Sequence, residues 1–248
     1  MYFDPAFPDW GAKATRLVAS LRTGDALVDS AMRRIPRHRF VSMGLWPTAY
    51  VDTPLPIGPE ATVSAPHMVA LQLSLARIRP GQRVMELGSG SGYLVAIASL
   101  QVGPEGLVVG VEYEESLVER SLRTLVRLGI PIVGSPHTAP STDLGSGVER
   151  GARSTVSIPG REPGPVQIVP GNGFNGAPTL APFDRIIVSY AGPPPAGEPW
   201  LDQLGPEGIA VVPVQIERDY TEIQVWERTA SGWRTTPGPA CLFVRRKA

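Results

Sequence analysis

Val84-Met85-Glu86-Leu87-Gly88-Ser89-Gly90-Ser91-Gly92-Tyr93 is the stretch on which the reading of this chain turns. A short apolar run ends in three glycines at alternate positions, and an apolar segment suited to a helix follows. Glycines there allow positive φ and let backbone N–H groups approach a ligand at a helix N-terminus. The spacing is G-x-G-x-G, unlike the G-x-G-x-x-G of dinucleotide-binding turns, and no lysine follows as it would in a phosphate-cradling loop. Glu86, at the end of the strand, is placed to meet a cation or amine of a ligand. Glu112 lies 20 residues beyond Gly92 and ends the next expected strand, where a carboxylate can take both hydroxyls of a ribose.

Working outward, strands are expected at 83–87, 107–112, 166–169, 184–189 and 208–214. Their Val- and Ile-rich runs lack polar alternation, as in strands buried on both faces of a parallel sheet. Helices are expected at 92–101, 114–128 and 197–204, with another opened by Pro66 and stopped by Pro80-Gly81. Two further strands, 222–228 and 240–246, should close the chain as a hairpin. The fold class is therefore α/β: a doubly wound, seven-stranded, mostly parallel sheet. Upstream, 12–22 and 26–35 read as short helices, and the proline-rich stretch 42–65 as an ordered but irregular loop. Residues 1–65 thus form an N-terminal helical subdomain with a loop, and 66–248 the core. Residues 134–165, rich in Gly, Ser and Pro, interrupt that core as a solvated insertion or as a lid over a substrate.

Composition narrows the function. Of 248 residues, Lys plus Arg and Asp plus Glu each number 23, a net charge of zero. That lacks the basic field of a nucleic-acid-binding surface, so no nucleic acid is expected as a partner. Cys241 is the single cysteine, so neither an intrachain disulfide nor a cysteine zinc site can form, and no metal is implied. No run of 18 apolar residues suggests a membrane span, and Met1-Tyr2-Phe3-Asp4-Pro5 does not read as a secretory signal. A cytoplasmic monomer is the expectation.

The set of Glu86, three alternate glycines and Glu112 resembles the class I S-adenosylmethionine-dependent methyltransferases. A closer resemblance lies upstream. Ile35-Pro36-Arg37-His38-Arg39-Phe40-Val41, then Ala49-Tyr50-Val51-Asp52-Thr53-Pro54-Leu55-Pro56-Ile57-Gly58, then Ala61-Thr62-Val63-Ser64-Ala65-Pro66-His67-Met68 resemble the protein-L-isoaspartate O-methyltransferases. Downstream, Phe183-Asp184-Arg185-Ile186-Ile187-Val188 and Leu204-Gly205-Pro206-Glu207-Gly208 are similar to the same family. The resemblance spans about 15–130 and 166–246.

It implies a Rossmann-like methyltransferase sheet, S-adenosylmethionine as cofactor with S-adenosylhomocysteine as product, and an isoaspartyl peptide or protein as substrate. The implied reaction methylates the isoaspartyl α-carboxyl group, and the ester collapses to a succinimide that returns some normal aspartate. By the same resemblance, Ser64 hydrogen-bonds the attacking carboxylate beside the methyl donor. Thr62 and Val63 line the cleft, and Gly88, Ser89, Gly90, Gly92, Glu86 and Glu112 hold the cofactor. Asn172 and Gly173 stand where the wider methyltransferase pattern places a carboxylate for the adenine amino group. His67 and Tyr190 fall beside the substrate. Arg37 and His38 are read as structural pairings.

From the residues alone, Ser64 could equally be a helix N-cap, and Asn172 between glycines an ordinary turn. A carboxylate is already ionised at neutral pH, so its attack on a sulfonium methyl needs no general base, and orientation in a dry site is the expected source of rate. Two other readings compete with repair of many proteins. One is an enzyme dedicated to a single biosynthetic peptide; the other is a binding protein that keeps the fold without turnover.

Overall fold

The computed structural model describes residues 4–134, 162–218, 220–241 and 243. Most of the 134–165 insertion therefore lies outside the described residues. Two helices open the chain, α1 (Trp10–Leu21) and α2 (Ala26–Arg34). Asp25 caps α2 by accepting from the Leu27 and Val28 N–H groups at 3.0 and 3.1 Å. A small antiparallel hairpin follows, β1 (Leu55–Gly58) with β2 (Ala61–Val63), leading into α3 (Pro66–Ala76).

The core then alternates: β3 (Arg83–Leu87), α4 (Tyr93–Val102), β4 (Leu107–Glu112), α5 (Glu115–Arg127), β5 (Val166–Pro170) and β6 (Phe183–Val188). β7 (Leu204–Glu217), β8 (Tyr220–Thr229) and β9 (Gly232–Cys241) complete it. In the sheet the order is β5-β4-β3-β6-β7-β8-β9, parallel from β5 to β7 and antiparallel beyond. The chain runs outward from β3 through β4 to β5, then returns to place β6 on the other side of β3. That reversal opens a crevice at the carboxyl ends of β3 and β6, where open α/β sheets bind ligands.

The seven-stranded, mostly parallel sheet matches the expectation from the strand pattern; its flanks differ in three places. The helix expected at 197–204 is absent, and a 3₁₀ turn, Leu201–Gln203, leads directly into β7. Gly197 has φ +85°, outside the helical region, and the strand already begins at Leu204, leaving room for a single 3₁₀ turn. The last strand comes earlier than 240–246. A two-residue connection, 230–231, folds β9 straight back on β8, and nearly all of β9 is exposed, so it shows no apolar alternation to read. The loop 42–65 contains regular structure, a 3₁₀ helix at Met43–Thr48 as well as the β1–β2 hairpin.

One large apolar core joins α2 through α5 to one face of the sheet. The opposite face packs Met85, Val109, Ile186 and Val212 against Phe183, Trp200 and Leu201. Among the described residues, short 3₁₀ turns and loops cover that face where a doubly wound fold commonly has helices. No helix among the described residues is long and apolar enough to cross a membrane.

Candidate active site

The glycine turn forms one wall of the crevice. Gly88, Gly90 and Gly92 have φ of +78°, +52° and +81°, conformations an L side chain rarely adopts. Four N–H groups of this turn are engaged within the protein. Gly88 and Ser89 donate to the Val111 carbonyl, Gly92 to that of Ser89, and Gly90 to the Glu112 carboxylate at 2.7 Å. Here the glycines act by leaving the cleft free of side chains. A Cβ on Gly90 would lie 3.0 Å from the Ile57 side chain, and one on Gly88 would lie 3.0 Å from the Tyr190 ring. Gly92 stands apart from the cleft lining as the N-cap of α4, packed on Ser121.

Glu112 ends β4 nearly buried, at 8% exposure. One carboxylate oxygen accepts the Gly90 N–H, the other the Glu114 N–H at 2.9 Å. Each oxygen keeps a further lone pair, so a vicinal diol can still donate to the pair. Asn172, at the end of β5, accepts the Phe174 N–H through Oδ1 at 2.9 Å and so caps a short 3₁₀ turn. Gly173 beside it lies against the ring of Tyr190. Together Gly88, Gly90, Glu112, Asn172, Gly173, Thr62 and Tyr190 line one open cleft, with Ile57 and Tyr113 completing it.

Glu86 lies deeper, at 3% exposure. It lines a narrow inner crevice under the glycine turn with Val63, Ser64, Ser89 and Tyr93. Burial pushes its carboxyl up to about 8. The Ser189 hydroxyl, 2.7 Å away, opposes the shift, the charge of Glu112 adds to it, and the Val95 N–H opposes it.

The facing wall comes from the N-terminal region, and long-range side chains fix it. Arg37 is fully buried and donates to the carbonyls of Thr53 (3.0 Å) and Ser64 (3.5 Å), its guanidinium 5.6 Å from the Tyr93 ring centre. Arg120 of α5 donates to the carbonyls of Ile57 (3.1 Å) and Phe40 (3.2 Å). Gln72 of α3 donates to the Val188 carbonyl at 2.8 Å, tying α3 to the end of β6. Behind them His38 is buried between Tyr50 and Asp4, at 2.8 Å from each. Burial lowers its pKa, opposed by the Asp4 carboxylate.

Ser64 sits between β2 and α3, at the seam between the inner crevice and a groove alongside α3. Ala65 occupies the N-cap position of α3, and no side chain caps that helix from there. Ser64 is therefore not the helix cap. The groove also holds His67 and is closed by Tyr220 and Cys241 from the end of the sheet. Asp52 fixes His67, accepting its backbone N–H at 2.9 Å while lying 2.9 and 3.0 Å from Nδ1.

The sites expected from the sequence, Gly92 apart, thus line three adjoining spaces, the open cleft, the inner crevice and the groove. Ser64 and His67 share the groove, whereas Tyr190 lines the open cleft. Ile57, Arg37 and Ser189 were not singled out for the site. Ser189 had a positional signal, directly following β6 at the reversal of strand order.

The sequence model of the Protein-L-isoaspartate(D-aspartate) O-methyltransferase (PCMT) family matches residues 13–245. The protein-L-isoaspartate O-methyltransferase of Methanopyrus kandleri is 37% identical over 218 residues, covering 88% of this chain and 81% of its own. That of Methanothrix thermoacetophila is 38% identical over 201 residues, covering 80% and 79%. A solved protein-L-isoaspartate O-methyltransferase superposes with a TM-score of 0.73 at 25% identity, covering 94% of this chain and 65% of that longer one. A Plasmodium falciparum protein described as a protein-L-isoaspartate O-methyltransferase, in complex with S-adenosyl-L-homocysteine, superposes at 0.71 and 23% identity, covering 94% and 98%.

Proposed function

The chain belongs to the protein-L-isoaspartate(D-aspartate) O-methyltransferase family, and on that premise we propose how its residues divide the work of methyl transfer. It is an S-adenosylmethionine-dependent enzyme that methylates isoaspartyl residues of proteins, the first step of their repair.

The cleft suits such a cofactor on its own chemistry. Glu112 has acceptor capacity left for two hydroxyls, and the glycine turn leaves side-chain-free space that a Cβ at Gly88 or Gly90 would crowd. We assign Glu112, Gly88, Ser89, Gly90, Thr62, Val63 and Glu86 to holding it. Gly92 supports that set by shaping the turn. Asn172 and Gly173 are assigned to the adenine end, where a neutral amide replaces a charge. When bound, the cofactor supplies an electrophilic methyl group on a sulfonium.

Ser64 is the catalytic residue in this reading. Its hydroxyl donates to the isoaspartyl carboxylate, orienting an already ionised nucleophile, so no side chain has to remove a proton. His67, clamped by Asp52, lines the substrate path, and residues 1–65 form the substrate-side unit of the molecule. Tyr190 serves this reading as a wall between cofactor and substrate. The enzyme acts as a cytoplasmic monomer.

The observation that carries the reading is the position of Ser64, free of any capping task at the seam of cleft and groove. The decisive assay offers the enzyme a matched pair of peptides, one isoaspartyl and one aspartyl, followed by mass spectrometry. One methyl gained on the isoaspartyl peptide alone is expected. Methylation of one particular aspartyl peptide, with isoaspartyl peptides inert, would instead identify a dedicated peptide-modifying enzyme.

A further inference from the structure

Ser189 and Thr62 are the two residues that line all three spaces, the cofactor cleft, the inner crevice and the groove. Ser189 is held firmly: its N–H donates to the Leu87 carbonyl at 2.9 Å, continuing the β3–β6 ladder, and its hydroxyl lies 2.7 Å from Glu86 Oε1. Resting on the reading above, we propose that Ser189 contacts the substrate, donating its hydroxyl proton to the isoaspartyl carboxylate opposite Ser64, with Glu86 as the positioning residue that decides which way that hydroxyl points.

A carboxylate has about four lone-pair sites, and one serine fills one of them, so burying it beside the cofactor calls for a second donor. A serine hydroxyl has a single hydrogen. With Glu86 ionised, that hydrogen turns to Glu86 and Ser189 presents only lone pairs to an anionic substrate. With Glu86 protonated, the acid donates to Ser189 and the serine hydrogen is released toward the substrate.

The surroundings of Glu86 favour the second arrangement. It is almost fully buried. From β4 the charged group facing it is Glu112, a like charge; from α4 come Tyr93 and the Val95 N–H; from the β6 turn comes Ser189; and from α3 the crevice receives Val69. No cation stands among these groups. Burial pushes its pKa up to about 8, which keeps the carboxyl mostly neutral at pH 7; an anionic substrate pushes in the same direction, and the cationic cofactor that Glu86 helps to hold pushes the other way.

The test is the KM for an isoaspartyl peptide across pH 6 to 9.5. For the wild type, KM is expected to stay flat to about pH 8 and then rise toward a plateau about tenfold higher as Glu86 ionises. Ser189→Ala is expected to raise KM about tenfold at pH 7, the loss of a hydrogen bond to a charged group, and to flatten the alkaline rise. Ser189→Thr restores both. Glu86→Gln, whose amide donates at every pH, removes the alkaline rise while Ser189 remains. Calorimetry with S-adenosylhomocysteine is expected to give the same affinity for Ser189→Ala as for wild type, within about twofold.

An unchanged KM in Ser189→Ala overturns the proposal, as does an alkaline rise that persists in Glu86→Gln. Weakened S-adenosylhomocysteine binding with an unchanged KM would move Ser189 to the cofactor, which also overturns it. Failure of the underlying reading looks different: the wild type would then leave isoaspartyl peptides unmethylated at every pH.

Discussion

The wall made by the ends of β3, β4 and β5 is a wall of backbone. Its turn is closed by N–H groups bonding to Val111, Ser89 and Glu112, none from farther along the chain than the end of the next strand, and its shape needs glycine where φ is positive. The wall facing it, from Arg37 to Ser64, is built of short 3₁₀ turns and one small hairpin and is pinned from outside. Arg37 and Arg120 hold its carbonyls, while Gln72 and the His38–Asp4 contact anchor the elements around it. A backbone wall tolerates changes to its exposed side chains; a pinned wall fails when one pin is removed. On the proposed reading the cofactor side of the site is thus a rigid sheet edge, and the substrate side depends on a few long-range side chains, the buried Arg37 and the half-buried Arg120 first among them.

The largest effect is expected from removing a pin. Arg37→Ala leaves the carbonyls of Thr53 and Ser64 unpaired in a buried space, a destabilisation of about 3 kcal/mol and a fall of roughly 8 °C in thermal midpoint. Methyl transfer should fall with it. A variant with a wild-type midpoint would show that this wall stands without its cation.

Ser64→Ala should separate function from stability. Since Ser64 caps no helix, its thermal midpoint should match wild type, while kcat/KM drops by about 30-fold for the lost charge-assisted bond. A parallel loss of stability would assign the serine to the scaffold instead.

On the backbone wall, the informative pair is Gly92→Ala against Gly81→Ala. Both glycines sit near φ +80°, but a Cβ on Gly92 meets Ser121 at 3.2 Å whereas one on Gly81 meets nothing within 4 Å. Gly81→Ala should cost about 1 kcal/mol from strain alone, and Gly92→Ala about 2 kcal/mol in chemical denaturation. Equal losses would mean that conformation, not crowding, selects the glycine.

The smallest effect probes the adenine end. Asn172→Asp retains the acceptor for the Phe174 N–H and adds charge, so S-adenosylhomocysteine should bind about fivefold tighter, a gain of ~1 kcal/mol. Unchanged affinity would confine Asn172 to its turn.

The same contrast explains what could be read without coordinates. The glycine turn, Glu112 and the parallel strands were legible because their signals are local. Positive-φ positions select glycine, strands buried on both faces lose their polar alternation, and an acid at a strand end faces the ligand edge of the sheet. β9 escaped because an edge strand exposed on both faces carries no periodicity, and its start was set by the turn at 230–231. The helix expected at 197–204 failed where apolar spacing was outweighed by the positive φ of Gly197 and by the early start of β7 at Leu204.

Sequence by itself therefore determined the sheet, the glycine turn and, through resemblance, the chemistry. Tertiary structure alone decided that Ser64 is not a cap, that Tyr190 lines the open cleft, and that Ser189 meets Glu86 across 103 residues of chain. The physical reason is range. Backbone conformation is selected residue by residue and leaves its mark in composition, whereas a hydrogen bond between distant side chains exists only once the sheet has brought their strands together.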